Sequence, residues 1–271
     1  MEECGTVERY YDDNVLGEWQ RMERHPIEFE VTKRIIQKHL AAPPARILDV
    51  GGGPGRYSIW LSSRGYEVTL FDLSRGNVEF ARSKAREAGL ELAGYVAGNA
   101  LELDGHVGAE VFDAVLLMGP LYHLVTEADR CRAVEQALRA LKKGGVLVAS
   151  FISAYAPVLD LLMNCPEELV GRVDECLAYF EDGRNIASED NPGFTSAYFM
   201  DPQAIDGFME GFPLKRLALY TAESILGPYE KRLKEADART FEACLDLAMK
   251  LAEDVNCRAS GEHLVYVGRK E

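Results

Sequence analysis

Five short apolar runs recur along the chain, and between them the apolar positions fall at helical spacing. Ile47, Leu48 and Val50 form the first run, and residues 67–71, 92–97, 111–117 and 146–152 supply the others. Runs this short and this apolar predict strands buried on both faces. Tyr57, Ile59, Trp60 and Leu61 open the first intervening helix, and residues 77–88, closed by Gly89, make the next. Cys131, Val134, Leu138 and Leu141 form the stripe of a further helix. Lys142-Lys143-Gly144-Gly145 is expected to stop that helix, its basic pair suiting the negative end of the helix dipole. Strand and helix in regular alternation predict an α/β fold with a parallel sheet.

The pattern differs on either side of this block. Residues 6–40 read as helical, with Val31, Ile35, Ile36 and Leu40 on one face, and end at Pro43-Pro44. The earlier part is rich in aromatic and charged residues, among them Tyr11, Trp19, Arg21, His25 and Glu28. Past the fifth run, residues 153–198 lose the alternation. They carry an apolar helix over 158–163, an amphipathic one through Leu169, Val173, Cys176 and Phe180, and loops at 181–185 and 189–193. Residues 198–202 then predict a helix start, with Asp201 as N-cap and Pro202 at the first position. A sixth strand over 214–220 follows. A helix over 239–255 comes next, its core stripe running from Phe241 to Val255, and a last strand spans 263–268.

The first strand runs directly into Gly51, Gly52, Gly53 and Gly55, and a helix follows. Strand, glycine-rich turn and helix open a doubly wound fold, where ligands gather outside the carboxyl ends of the strands. The dinucleotide fingerprint G-x-G-x-x-G would need glycine at position 56, where the chain has Arg56. What stands instead is Asp49-x-Gly51-x-Gly53-x-Gly55, with the acid inside the strand end; a glycine turn without a ligand is the alternative. This pattern resembles motif I of the class I S-adenosylmethionine-dependent methyltransferases.

The resemblance implies a Rossmann-like sheet of seven strands whose last strand is antiparallel, inserted between the fifth and sixth. It implies S-adenosyl-L-methionine as cofactor, with the glycine loop beneath its methionine part. Asp72, about twenty residues beyond the loop, falls where such folds place an acid on a ribose hydroxyl pair, although a helix N-cap is the competing role. The resemblance sets Leu73 against the adenine, and Asn99-Ala100 where the family commonly has Asp and a small residue. Asn99 departs from that pattern, its amide oxygen accepting the same hydrogen bond without charge. Asp49, Gly51, Gly53, Gly55, Asp72, Leu73, Asn99, Ala100 and Met118 are therefore the expected cofactor residues.

Met118 to Leu124 follow the fourth strand, facing both methyl and acceptor. Tyr122 and His123 are candidates for positioning an acceptor or removing its proton; a packed, hydrogen-bonded pair opening a helix is the alternative. The resemblance also implies an N-terminal helix closing over the cofactor. Residues 1–40 then form a lid, with Tyr11, Arg21, His25 and Glu28 facing the pocket, or else a solvated amphipathic helix. Tyr11, His25, Tyr122 and His123 are the catalytic candidates. The domain comprises residues 41–152 and 199–271. Residues 153–198 are a helical cap inserted after the fifth strand, or a surface for a homodimer.

Charge then narrows the acceptor. Thirty basic residues against forty-four acidic give a formal charge of −14, which on average repels nucleic acid. A small-molecule substrate is the expectation. No apolar run is long enough for a bilayer, and the acidic start shows no signal peptide, so the expected location is cytoplasmic with no membrane contact. The six cysteines, with no C-x-x-C pair, read as reduced and mostly buried, with no metal site. Methyl transfer to RNA or protein, NAD-dependent oxidoreduction and a non-catalytic cofactor-binding module are the alternatives.

Overall fold

The computed structural model describes residues 2–187 and 195–271. In chain order its strands are β1 (Arg46–Val50), β2 (Glu67–Asp72), β3 (Gly94–Ala97), β4 (Phe112–Leu117) and β5 (Leu141–Ser153). They continue with β6 (Arg184–Asn185), β7 (Ala197–Met200), β8 (Leu214–Thr221) and β9 (His263–Lys270). β1 lies between β2 and β4, parallel to both, with Val50 opposite Phe71 on one side and Leu117 on the other. β9 runs antiparallel between β5 and β8, pairing Val267 with Val148 and with Ala218. The principal order is thus β3-β2-β1-β4-β5-β9-β8, with the antiparallel insertion where the sequence implied it.

Successive strand residues point to opposite faces, so each strand feeds two cores. Ile47, Leu70, Leu116 and Val148 pack under α3 (Pro26–His39), α4 (Arg56–Ser63), α5 (Arg75–Glu87) and α12 (Ala238–Leu251). Leu48, Phe71, Leu117 and Leu147 pack under α7 (Glu127–Ala140) and α10 (Ala204–Met209). Helices α1 (Glu2–Asp13) and α2 (Val15–Arg24) precede α3, and the short α6 (Pro120–His123) follows β4. Helices α8 (Ala156–Asn164) and α9 (Val173–Glu181) follow β5, and α11 (Glu230–Leu233) precedes α12. No helix among the described residues is long and apolar enough to cross a membrane.

Several sequence expectations are corrected. Among the described residues two short strands add to the expected seven: β6 pairs antiparallel with β7, and β7 pairs parallel with the end of β5, beyond the point where β4 stops. Residues 198–200 are therefore strand, and the helix begins at Ala204. Asp201 still makes a turn, its carboxylate accepting from the Gln203 N–H at 2.9 Å. Helix α7 ends at Ala140, so Lys142 lies in β5, where its ammonium pairs with Asp113 at 2.7 Å. Helix α12 ends at Leu251, and Val255 is 61% exposed rather than core. The expected loop at 181–185 contains the end of α9 and β6, and the one at 189–193 lies outside the described residues. Of the cysteine side chains described, Cys176 and Cys257 are buried, while Cys131, Cys165 and Cys244 are only partly so.

Candidate active site

Beyond the carboxyl ends of β1 to β5 lies a cavity of about 820 Å³, roofed by α1 and α2. The glycine turn forms its floor. Gly51, at φ +77°, abuts the β4–α6 turn so closely that a Cβ would meet Pro120 Cδ at 2.6 Å. At Gly53, φ +54°, a Cβ would enter open space, so the backbone itself borders the cavity. The expected role of Gly55 is corrected. It is absent from the cavity wall, and a Cβ there would strike Ala81 at 2.8 Å, so it serves the packing of α4 on α5.

Asp49 lies fully buried beneath the turn. Its Oδ2 accepts from the Ser58 hydroxyl at 2.6 Å, and its Oδ1 has no hydrogen-bond partner among the described residues. Burial pushes this carboxyl up to about 6, against the pull of Ser58 and with a further push from the Asp72 charge. Asp72 is more heavily bonded. Its Oδ2 accepts from the Gly53 N–H at 2.8 Å, and its Oδ1 from the Ser74 N–H at 2.9 Å and the Asn77 amide at 3.2 Å. Burial raises its pKa in spite of these donors. Leu73, Asn99, Ala100 and Met118 line the same cavity. The Asn99 Oδ1 accepts from the Leu101 N–H at 3.0 Å, starting a 3-10 turn.

The roof is pinned to this floor. Asp12 of α1 accepts from the Ser74 hydroxyl and, at 3.0 Å, from the Gly76 N–H, extending the cap of α5. The Arg56 guanidinium lies 3.9 Å from the Trp19 ring centroid in α2, and its Nε donates to the Trp19 carbonyl at 2.9 Å.

Three of the four catalytic candidates meet. The Tyr11 hydroxyl and His123 Nε2 are 2.7 Å apart, and Tyr122 packs edge-on against the His123 ring at 4.8 Å. His123 Nδ1 lies 3.3 Å from the Ser196 carbonyl, an oxygen that only accepts. The proton therefore belongs on Nδ1, and Nε2 accepts from Tyr11. Burial pushes the imidazole down to about 4, so it is neutral at physiological pH. Burial likewise raises the phenols of Tyr11 and Tyr122. His25 is corrected: it lies outside the cavity wall, with its Nδ1 on Glu230 at 3.0 Å.

Arg21 and Glu28 face the cavity as expected, joined by two hydrogen bonds of 2.7 and 3.1 Å. The sequence did not single out the residues beside them. His263, the first residue of β9, also lines the cavity, with Nδ1 2.6 Å from Glu223 and 3.9 Å from Glu28. One signal was available: an antiparallel strand starts at the edge where its parallel neighbours end, so the first residue of the last strand had to lie at the ligand edge. Glu28, Glu223 and His263 bring their ligand atoms within 4.8 Å of one another. Arg21 already engages both Glu28 oxygens, and two carboxylates balance a guanidinium and an imidazolium, so the donor set suits a proton better than a divalent ion.

Residues 47–145 match a family model described as a methyltransferase domain. The chain is 33% identical over 116 residues to a ubiquinone biosynthesis O-methyltransferase of Caulobacter sp. strain K31, covering 43% of this chain and 44% of that one. It is 27% identical over 158 residues to the tRNA 5-carboxymethoxyuridine methyltransferase of Escherichia coli K12, covering 55% and 58%. The matches thus span about half the length of these curated relatives. In fold, the chain is similar to a SAM-dependent methyltransferase structure from Methanosarcina mazei. The TM-score is 0.56 at 20% identity, over 87% of this chain and 96% of the other.

Proposed function

We propose that the chain carries a class I S-adenosylmethionine-dependent methyltransferase domain and transfers the cofactor's methyl group to a small molecule held under α1 and α2. The observation that carries this reading is the roofed cavity, closed from Tyr11 in the first helix to His123 behind β4. Its volume is in the range of small-ligand sites. The formal charge of −14 disfavours a polyanionic acceptor such as tRNA.

The residues present fit the cofactor. Gly53 offers an open backbone cradle, and Asp49 offers a buried carboxylate oxygen with no protein partner. In this reading Gly51, Gly53, Asp49 and Met118 border the methionine end. The Asp72 oxygens retain acceptor capacity for ribose hydroxyls, while Leu73, Asn99 and Ala100 border the base. Bound there, the cofactor supplies a methyl group already activated on sulfonium.

What remains for the protein is alignment of the acceptor and exclusion of water. The low basicity of His123 suits that division. It stays neutral, is oriented by the Ser196 carbonyl and fixes the Tyr11 hydroxyl, so this pair closes and positions rather than abstracts a proton. Residues 1–40 act as the lid in this scheme, and residues 153–198 as a cap that selects the acceptor.

Calorimetric titration with S-adenosylmethionine, S-adenosylhomocysteine and NAD, repeated on Asp72→Ala, tests the reading. Saturable binding of the sulfur compounds, weakened by the substitution, is expected. Uptake of NAD instead would return the chain to the oxidoreductases. In an acceptor screen that includes tRNA, methylation of tRNA alone would overturn the small-molecule assignment.

A further inference from the structure

The wall formed by Arg21, Glu28 and His263, with Glu223 behind it, has no part in holding the cofactor as described above. Counting from Asp72 on β2, the strands β1, β4, β5 and β9 follow in order, so His263 stands four spacings away, roughly 19 Å. It also lies two spacings beyond β4, whose end carries Met118 and His123. His263 is therefore on the acceptor side.

The side chain is built into place. Glu223 is buried and grips His263 twice, at Nδ1 (2.6 Å) and at the backbone N–H (3.0 Å). Ser224, next in the chain, sits at φ +52°, a left-handed conformation that is strained for a residue with a side chain. At Gly261 a Cβ would fall 2.0 Å from Thr221 Oγ1 and 3.0 Å from a Glu223 oxygen, so only glycine lets this loop close on the carboxylate. With Nδ1 committed, Nε2 has no partner among the described residues, and the ring borders the cavity.

The charges around that donor are matched below about pH 7, where burial and the Glu223 charge keep the neighbouring Glu262 carboxyl protonated. Arg21 pairs with Glu28 at 2.7 Å and approaches Glu18 at 3.6 Å, while His263 pairs with Glu223. A charged acceptor buried here would find no free countercharge, at a cost that a neutral one avoids. We propose that His263 anchors the methyl acceptor, donating from Nε2–H to a carbonyl or amide oxygen of a small, uncharged molecule. This rests on the methyltransferase reading for what the bound molecule receives, but not for the binding itself.

The test uses the full chain with S-adenosylhomocysteine and three probes of one shape, benzamide, benzoate and benzylammonium, measured by calorimetry or saturation-transfer NMR. Benzamide is expected to bind most tightly. His263→Leu should weaken it at least tenfold, and His263→Gln, which keeps an N–H, should restore most of the loss. Equal binding by His263→Leu, or preference for a charged probe, overturns the proposal. So does stoichiometric uptake of zinc or manganese that Glu223→Gln abolishes.

Should His263→Leu not fold, Glu223→Gln decides through pH. His263 faces Glu28 on α3, Arg21 on α2, Glu223 after β8 and its neighbour Glu262, and the Glu28 and Glu223 carboxylates hold its ring protonated up to about 9. Benzamide affinity in the parent should fall through that pH, and in Glu223→Gln the fall should move to lower pH; an unmoved profile overturns the assignment. Titration with S-adenosylhomocysteine alone reports separately on the methyltransferase reading. A chain that fails it yet binds benzamide through His263 loses that reading and keeps this one.

Discussion

Tyr11 and His123, 112 positions apart in the chain, share a hydrogen bond of 2.7 Å that ties the first helix to the turn behind β4. It is the contact by which the roof meets the far wall of the cavity. Its direction is fixed by the Ser196 carbonyl, which takes the only ring proton of a neutral imidazole.

Tyr11→Phe removes this bond and little else. One such bond is worth about 0.5–1.5 kcal/mol, so turnover should fall about tenfold with the fold intact. The pH–rate profile of the parent should show no inflection near 6.5, because burial holds His123 near 4. A limb at 6.5 that vanished in His123→Asn would make His123 a general base and discard the positioning role.

Asp49 makes cofactor affinity pH-dependent. In the free protein its carboxyl is raised to about 6, and a cationic cofactor close by favours the charged form. Binding should therefore weaken as pH falls below 6, approaching tenfold per unit. Asp49→Asn should bind more weakly and with a flat profile. Calorimetry between pH 5 and 7.5 checks this, and a flat profile in the parent would separate Asp49 from the cofactor.

Asp72→Ala should damage both binding and fold. The carboxylate accepts from Gly53, Ser74 and Asn77, so its loss leaves buried donors unsatisfied at about 1–3 kcal/mol. S-adenosylhomocysteine affinity should drop at least about tenfold, the worth of one charge-assisted contact. Urea unfolding beside calorimetry separates the two effects, and unchanged affinity in the folded variant would remove Asp72 from the site.

Gly55→Ala should do the opposite. The added methyl meets Ala81 at 2.8 Å in a left-handed backbone, which costs about 1–3 kcal/mol. Affinity in the folded variant should stay within about threefold of the parent, well under the tenfold that 1.4 kcal/mol represents. A large affinity loss at unchanged stability would restore Gly55 as a ligand.

His263 and Glu28 make stability depend on pH at opposite ends of the scale. The folded pKa of His263, about 9, exceeds its unfolded value near 6.5. Its contribution is thus complete below 6.5 and lost as pH rises through 9, on the order of 3 kcal/mol at most. Arg21 and His263 hold the Glu28 carboxyl well below the usual range, so its contribution is present above about 4.5 and lost in acid. Unfolding free energies of the parent should fall between pH 7 and 10, and His263→Gln should abolish that alkaline fall.

The glycine-turn side of the cavity was legible because its signals are local. Asp49, the glycines and Asp72 lie within one strand–turn–helix–strand unit, and the geometry of that unit is nearly determined by residue order. The other side joins distant residues. His25 looked equivalent to Arg21 on a helical stretch, and only Glu230, 205 positions away, draws it out of the cavity. Glu223 gave no sign because its partner is set by the pairing of β8 with β9. At Asp201 the turn chemistry was real, but Tyr198, Phe199 and Met200 were claimed by the free end of β5, a tertiary demand that overrides a capping signal.

The placement of β9 has a consequence in time as well as space. During synthesis, residues 46–123, which supply most of the cofactor side, leave the ribosome well before His263. At about 5–20 residues per second the interval is roughly ten to thirty seconds. Through that interval Arg21 and Glu28 exist without the imidazole that completes their wall, and β5, once synthesised, lacks its β9 partner until the end. The nascent chain thus passes through a stage with the glycine-turn side of the cavity synthesised and the His263 side missing, and the last strand to emerge ends it.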